Sequence, residues 1–104
     1  MNKVKYLLLF IFLQSFSQND NKYSIKNILQ DNEYDLNSFY VGATLNHSQL
    51  NTPVEDLFLS EFNYSTPENC SKQAQIHPSP GVWRWKKFDD YLDFANKNNI
   101  TLRV

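Results

Sequence analysis

The chain has 104 residues and a formal net charge of −1, and 15% of its residues are Phe, Tyr or Trp. A nearly neutral charge provides no basic field to hold a nucleic-acid backbone or an anionic membrane surface, so neither partner is expected. The high aromatic content suits a packed core or a surface on which sugar rings stack.

Residues 1–17 have the pattern of a signal peptide. Two lysines precede eight apolar residues at 6–13, and a Ser-Phe-Ser tripeptide at 15–17 puts small residues at −3 and −1 of a cleavage site. The apolar run is shorter than the ~20 helical residues that cross a bilayer. We therefore predict export to the periplasm or the extracellular space, with no membrane span once the signal is removed. A buried amino-terminal helix is the alternative.

Cysteine content bears on stability and on metal binding. Cys70 is the only cysteine, so no internal disulfide and no cysteine-based metal site are expected. A chain of this length builds one small core. Because small exported domains usually need disulfides, we expect this chain to be part of a larger fold.

The polar segment at 18–38 is rich in Asn, Asp, Lys and Gln, and we interpret it as a lead-in with a short helix near 25–29. The apolar, aromatic and β-branched run at 39–45 predicts the first strand. It lacks strict alternation, as is typical of a strand that is buried on both faces. The folded domain is therefore expected at 39–104.

A helix is predicted at 53–62. Thr52 is a suitable N-cap, and Pro53 fits the first helical position. The helix dipole favours the two acidic residues in the first turn. The apolar face of this helix is expected to consist of Val54, Leu57, Phe58 and Phe62.

The remaining elements complete an alternating order. A second strand is predicted at 63–66, a second main helix at 85–98 with apolar residues at i, i+3, i+4 and i+7, and a third strand at 100–104. Strands that alternate with helices favour parallel pairing with helical crossovers, so the fold class is α/β. Both edges of such a sheet stay open, and the architecture is expected to be incomplete.

Three ordered motifs carry a resemblance to a known family. The segment at 66–72 reads Thr-Pro-Glu-Asn-Cys-Ser-Lys, a Pro-Ser-Pro-Gly turn at 78–81 precedes two tryptophans, and an Asp-x-x-x-x-Phe-Ala pattern occupies 89–95. With the Gly-Ala pair of the first strand, they resemble glycoside hydrolase family 10, the endo-1,4-β-xylanase family. The resemblance covers residues 39–104. It implies that the β-α-β-α-β order is the N-terminal portion of an incomplete TIM (β/α)₈ barrel.

The resemblance implies a retaining glycoside hydrolase that needs no cofactor and cleaves β-1,4-xylan or a related polysaccharide. Ligands of such barrels bind at the carboxyl ends of the strands, and Glu68, Asn69 and Lys72 directly follow the second strand. By similarity these three residues hold a sugar rather than break a bond. Carboxylate, amide and ammonium groups suit sugar hydroxyls. Without the family pattern, the same residues would be interpreted as a surface ion pair and a loop cap.

The catalytic residues are expected beyond Val104. Retaining glycosidases use two carboxyl groups about 5–5.5 Å apart, and the resemblance places both as glutamates on the fourth and seventh strands. Glu61 is predicted near the end of a helix, away from the cleft, and Glu68 aligns with a binding residue. We therefore expect the 104-residue chain alone to be inactive.

Two other classes of protein remain open. The first is a small exported carbohydrate-binding protein without catalysis, which would need a self-sufficient core. The second is a structural or adhesive surface protein, although the sequence contains no repeat that would support it.

Trp83 and Trp85 allow two interpretations. An indole can stack on a sugar ring, but a position beside a turn and a helix start favours packing against the outside of the barrel.

The remaining polar candidates are expected to have surface roles. His47 and His77 have no metal-ligand spacing to each other or to an acidic cluster, so no metal site is predicted. Asp89 and Asp90 are adjacent on a helix and therefore point in different directions. We interpret them as charges near the helix start that the dipole favours.

Overall fold

The computed structural model describes residues 23–104. The predicted signal peptide at 1–17 lies outside the described residues, so export stays a prediction. Within residues 23–104, no helix is both long enough and apolar enough to cross a membrane.

The lead-in segment contains helix α1, Ile25–Asp31, which confirms the short helix expected there. The backbone N–H of Ile25 donates to Oε2 of Glu61 at 2.6 Å. The Lys26 ammonium donates to the carbonyl oxygen of Leu59 at 2.7 Å. These two hydrogen bonds anchor the lead-in to the helix Pro53–Glu61.

Three strands form one sheet in the order β1-β2-β3. Both pairings are parallel, as predicted. The strands are β1 (Gly42–Leu45), β2 (Tyr64–Pro67) and β3 (Thr101–Leu102). Leu45 pairs with Pro67 at the end of the β1–β2 register. The carboxyl ends of β1 and β2 therefore lie at the same edge of the sheet.

Strand β1 begins three residues later than predicted, and Asn63 binds the residues before it with both its backbone and its side chain. The backbone N–H of Asn63 donates to the carbonyl of Val41 at 3.0 Å. The Asn63 amide oxygen accepts from the backbone N–H of Val41 at 2.8 Å. Its NH₂ group donates to the carbonyls of Leu36 and Phe39, both at 2.9 Å. Residues 36–41 are thus held by the backbone and the side chain of one asparagine at the amino edge of β2.

Helix α2, Pro53–Glu61, begins as predicted. The Thr52 hydroxyl oxygen accepts from the backbone N–H of Val54 at 3.2 Å. A short 3₁₀ helix, His47–Gln49, connects β1 to this region.

The predicted apolar face of α2 is only partly correct. Phe58 is 4% exposed and Phe62 packs against the core, but Leu57 is 63% exposed and Val54 is 44% exposed. Phe58 lies on the face of the helix that packs against the core, and Phe62, the residue that ends the helix, follows it four positions later. Leu57 lies beside Phe58 on a face that points away from the core. Val54 is four positions before Phe58, but it lies in the first turn, where the core does not cover it.

Two helices lie between β2 and β3. The four-residue helix α3, Gln73–Ile76, was not predicted, because one turn carries no periodic signal. Helix α4, Lys86–Lys97, agrees with the prediction and buries Tyr91, Phe94 and Ala95.

One cluster of buried residues joins the sheet to α2 and α4. It consists of Leu45, Phe58, Cys70, Tyr91, Phe94, Ala95 and Ile100. The Phe94 ring makes edge-on contacts with Phe58, at a centroid distance of 6.2 Å, and with Tyr91, at 5.5 Å. Such aromatic pairs stabilise by about 0.5–1.5 kcal/mol beyond their buried area. This core fixes the loop that follows β2.

Candidate functional site

Glu68 lies directly at the carboxyl edge of the sheet. Its backbone N–H donates to the carbonyl of Leu45, the last residue of β1, at 3.1 Å. This bond continues the β1–β2 ladder one step past Pro67 and fixes the position of Glu68. The residue is exposed, and among residues 23–104 its carboxylate has no hydrogen-bond or salt-bridge partner. Its oxygens are therefore available to a ligand.

Asn69 and Lys72 are brought together by a turn. The backbone N–H of Lys72 donates to the Asn69 carbonyl at 3.0 Å, and the Lys72 ammonium donates to the Asn69 amide oxygen at 2.9 Å. The amide oxygen is thus engaged, whereas the NH₂ group has no hydrogen-bond partner among residues 23–104. The ammonium retains two further donors.

Cys70 anchors this loop from the inside. The residue is 4% exposed and belongs to the core cluster. Burial raises the pKa of the Cys70 thiol, which keeps it neutral and apolar in character. Because Cys70 faces inward, its neighbours Glu68 and Asn69 are held at the surface of the sheet edge.

His47 and Asp90 form a contact next to the end of β1 that was not predicted from the sequence. Nε2 of His47 lies 3.0 Å from Oδ2 of Asp90, and the Lys86 ammonium lies 3.0 Å from Oδ1 of the same carboxylate. The hydrogen bond from His47, followed by that from Lys86, lowers the pKa of Asp90. His47 and Asp90 are 43 positions apart, and no local pattern predicts such a contact. Asp89 lies in the first turn of α4 as expected.

Neither tryptophan belongs to the buried core of the described residues. Trp83 is 58% exposed and Trp85 is 47% exposed. Instead, the rings of His77 and Trp83 stack at a centroid distance of 4.0 Å, and those of Trp83 and Trp85 at 5.6 Å. The turn before them directs the rings outward, so they form a surface stack.

No group of three or more His, Cys, Asp and Glu side chains that could hold a metal ion occurs in the described part of the chain. The arrangement at the end of β2 is instead a set of hydrogen-bonding groups: the Glu68 carboxylate, the Asn69 amide and the Lys72 ammonium. Together they offer two acceptor oxygens and several donors at one edge. This combination suits a ligand with several hydroxyl groups.

Comparison with known proteins identifies similar chains. The model of glycosyl hydrolase family 10 matches residues 30–104. A β-1,4-xylanase of Dictyoglomus thermophilum is 38% identical over 65 residues, which are 62% of this chain and 18% of that protein. Endo-1,4-β-xylanase A of a Caldicellulosiruptor strain is 35% identical over 68 residues, which are 64% of this chain and 10% of that protein. The chain thus spans less than a fifth of the length of these relatives.

Solved structures show the same architecture. Xylanase B from Clostridium stercorarium F9 superimposes with a TM-score of 0.65 and 25% identity, over 77% of this chain and 22% of that chain. A family 10 endoxylanase from a sugarcane soil metagenome gives a TM-score of 0.62 and 28% identity, over 76% of this chain and 22% of that chain. The parallel β-α order described above therefore corresponds to part of a TIM barrel.

Proposed function

The chain belongs to glycosyl hydrolase family 10, and we propose that it supplies the sugar-binding edge of an exported retaining hydrolase that acts on β-1,4-xylan or a related polysaccharide. One observation carries this proposal: Glu68, Asn69 and Lys72 directly follow the carboxyl end of β2 in a parallel sheet. Ligands of TIM barrels bind at this edge. The relatives that are named as xylanases support the choice of substrate.

The three side chains divide the hydrogen bonding of a sugar between them. The Glu68 carboxylate accepts from sugar hydroxyl groups. The Asn69 amide donates to a hydroxyl oxygen, because its own oxygen already accepts from Lys72 at 2.9 Å. The Lys72 ammonium donates to a further hydroxyl. Hydrogen bonds to charged groups contribute about 1.5–3 kcal/mol each, so the loss of Glu68 or Lys72 should weaken binding roughly 10- to 150-fold. The neutral Asn69 amide contributes about 0.5–1.5 kcal/mol, so its loss should weaken binding roughly 2- to 13-fold.

We propose that these residues hold the substrate and do not cleave it. Glu61 is the last residue of α2, which returns the chain to the amino edge of β2, opposite to Glu68. Its Oε2 also accepts from the backbone N–H of Ile25. The two glutamates are therefore not a pair about 5–5.5 Å apart, as retaining chemistry requires. The 104-residue chain alone is expected to hydrolyse neither xylan nor an aryl xyloside.

The test is a chimera in a complete barrel. Residues 39–104 replace the matching segment of the Dictyoglomus thermophilum xylanase, and kcat/KM is measured on xylotetraose. Glu68→Gln and Lys72→Gln should each lower kcat/KM about 10- to 150-fold. Asn69→Ala removes a hydrogen bond between neutral groups and should lower kcat/KM about 2- to 13-fold. Lys97→Gln, which changes an exposed lysine on α4, is the matched control and should have little effect.

Two results would contradict the proposal. The first is an active chimera in which all three substitutions leave kcat/KM within twofold of the parent. The second is reproducible hydrolysis by the 104-residue chain alone that Glu68→Gln abolishes, since Glu68 would then be a reacting group. Export is tested separately by mass spectrometry of the protein from the periplasm or the medium, where the expected mature chain begins at Gln18.

A further inference from the structure

A second surface has the features of a ligand site and does not include the proposed sugar-binding edge. Residues 83–87 line a cleft of about 590 Å³ together with His47, Cys70, Gln75 and Asp90. Glu68, Asn69 and Lys72 do not line it. We call residues 83–87 the Trp85 surface.

The Trp85 indole stacks on one described ring and is about half exposed. Trp83 is within stacking distance of both His77 and Trp85, with interplanar angles of 9° and 3°. Trp85 stacks on Trp83 alone among the described rings, and it is 47% exposed. A flat aromatic face of this kind attracts the apolar C–H face of a sugar ring.

Hydrogen bonds of the backbone hold the stack in place. Pro80 and Gly81 are the central residues of a β-turn with Gly81 at φ 78°, which is the geometry of a type II turn. The Val82 N–H donates to the Ser79 carbonyl at 3.0 Å, and Nδ1 of His77 donates to the Val82 carbonyl at 2.8 Å. The stack is therefore built before any ligand arrives, which lowers the entropy cost of binding.

The charges around Trp85 are unbalanced towards positive. Lys86 is paired with Asp90 at 3.0 Å, and Asp90 also bonds to His47. Arg84 and Lys87 line the same cleft, and neither has a salt-bridge partner within residues 23–104. Two cations without a salt-bridge partner among the described residues thus line the same cleft as Trp85, on a chain whose net charge is −1.

We propose that the Trp85 surface binds a sugar ring that carries a carboxylate, such as a glucuronic acid side group of a polysaccharide. The apolar ring face stacks on Trp85, and Arg84 and Lys87 bind the carboxylate. The choice of a carbohydrate over other acidic ring compounds rests on the proposed function. The location of the site is independent of the proposed function, because Glu68, Asn69 and Lys72 do not line the cleft.

Intrinsic fluorescence tests this proposal directly, because Trp83 and Trp85 are the only tryptophans of the chain. The full chain is titrated with a xylo-oligosaccharide bearing one glucuronic acid and, in parallel, with neutral xylotetraose. The emission should change and saturate with both ligands. The acidic ligand should bind about fivefold more tightly at low salt, and this difference should shrink at high salt.

The variants separate stacking from charge. Trp85→Ala should abolish the response of the remaining Trp83, and Trp85→Phe should retain part of the affinity. Arg84→Gln together with Lys87→Gln should remove the preference for the acidic ligand and leave the neutral ligand unaffected. Tyr34→Ala, which removes an aromatic residue that is 51% exposed, is the matched control and should bind like the parent.

The proposal is overturned if Trp85→Ala binds the acidic ligand like the parent, or if the parent does not distinguish the two ligands. The double charge variant keeps the question decidable if Trp85→Ala does not fold. A response that is lost in Glu68→Gln but kept in Trp85→Ala overturns this proposal and leaves the proposed function intact. If the fluorescence response is lost only in Trp85→Ala and the Glu68→Gln chimera keeps its activity, the proposal for the Trp85 surface is supported and the proposed function is contradicted.

Discussion

The hydroxyl oxygen of Tyr91 lies 2.7 Å from that of Ser65, and neither residue has any exposed surface. Ser65 Oγ also lies 3.1 Å from the carbonyl oxygen of Ala43, which only accepts hydrogen bonds. Ser65 therefore donates to Ala43, and Tyr91 donates to Ser65. This chain of two hydrogen bonds connects α4 to both β2 and β1 through the centre of the fold.

Substitutions in this pair should have unequal effects. Tyr91→Phe leaves Ser65 bonded to Ala43 and is expected to lower the free energy of unfolding by about 1 kcal/mol. Ser65→Ala leaves a buried tyrosine hydroxyl without its acceptor and should cost about 1–3 kcal/mol. Urea unfolding of the parent, both single variants and the double variant measures the coupling. A double variant equal to the sum of the single variants would show that the pair is not coupled.

The sequence predicted the elements well, because their signals are local. The Thr52 cap, the proline that follows it and the apolar period of residues 85–98 each act within a few residues. The parallel order followed from the alternation of strands and helices. The position of Glu68 at the carboxyl edge followed from that order, because Glu68 comes directly after a strand.

Contacts between distant residues were beyond local patterns. Ser65 and Tyr91 are 26 positions apart, and both are ordinary residues for their elements. The burial of Phe58 instead of Leu57 depends on how α2 is rotated against the sheet, and a broad apolar stripe does not specify this rotation. The exposure of the Trp85 indole depends on the conformation of the β-turn at residues 79–82, which precedes the two tryptophans.

Gly42→Ala should destabilise the sheet by direct overlap. A Cβ atom at this position would lie 2.5 Å from the carbonyl oxygen of Tyr64 and 2.7 Å from Cδ1 of its ring. Because Tyr64 pairs with Gly42 in the β1–β2 register, its backbone cannot move without breaking the ladder. The expected loss is about 1–3 kcal/mol, measured by urea unfolding. A variant as stable as the parent would show that the two strands are not this close.

Gly81 is the second of the two glycines of the chain, and it is required for its backbone conformation instead of for lack of space. A Cβ at Gly81 meets no atom within 4 Å, but φ is 78°, a conformation that costs other residues about 1–2 kcal/mol. We expect Gly81→Ala to cause a smaller loss of stability than Gly42→Ala and a weaker near-ultraviolet circular dichroism signal from the tryptophan stack. An unchanged signal would mean that the turn does not position the rings.

The raised pKa of the buried Cys70 thiol predicts alkaline sensitivity. The folded state favours the neutral thiol, so its contribution to stability is complete below the thiol pKa of the unfolded chain and is lost as the pH rises through the folded value. Cys70→Ala should flatten the decline in unfolding free energy on the alkaline side. The same thiol should react slowly with a disulfide reagent in the native protein and rapidly in urea. Equal rates in both conditions would contradict its burial.

The lowered pKa of Asp90 predicts the reverse dependence at acid pH. The hydrogen bonds from His47 and Lys86 favour the ionised carboxylate in the folded state. Its stabilising contribution is therefore present above the carboxyl pKa of the unfolded chain, about 3.9, and is lost as the pH falls through the lower folded value. Asp90→Asn should reduce the loss of stability between neutral pH and the acid range. Asp93→Asn, at an exposed position on the same helix, is the control and should leave the acid profile unchanged. If Asp90→Asn and the parent have the same profile, the His47–Asp90–Lys86 contact does not stabilise the fold, and the end of β1 is held by the core alone.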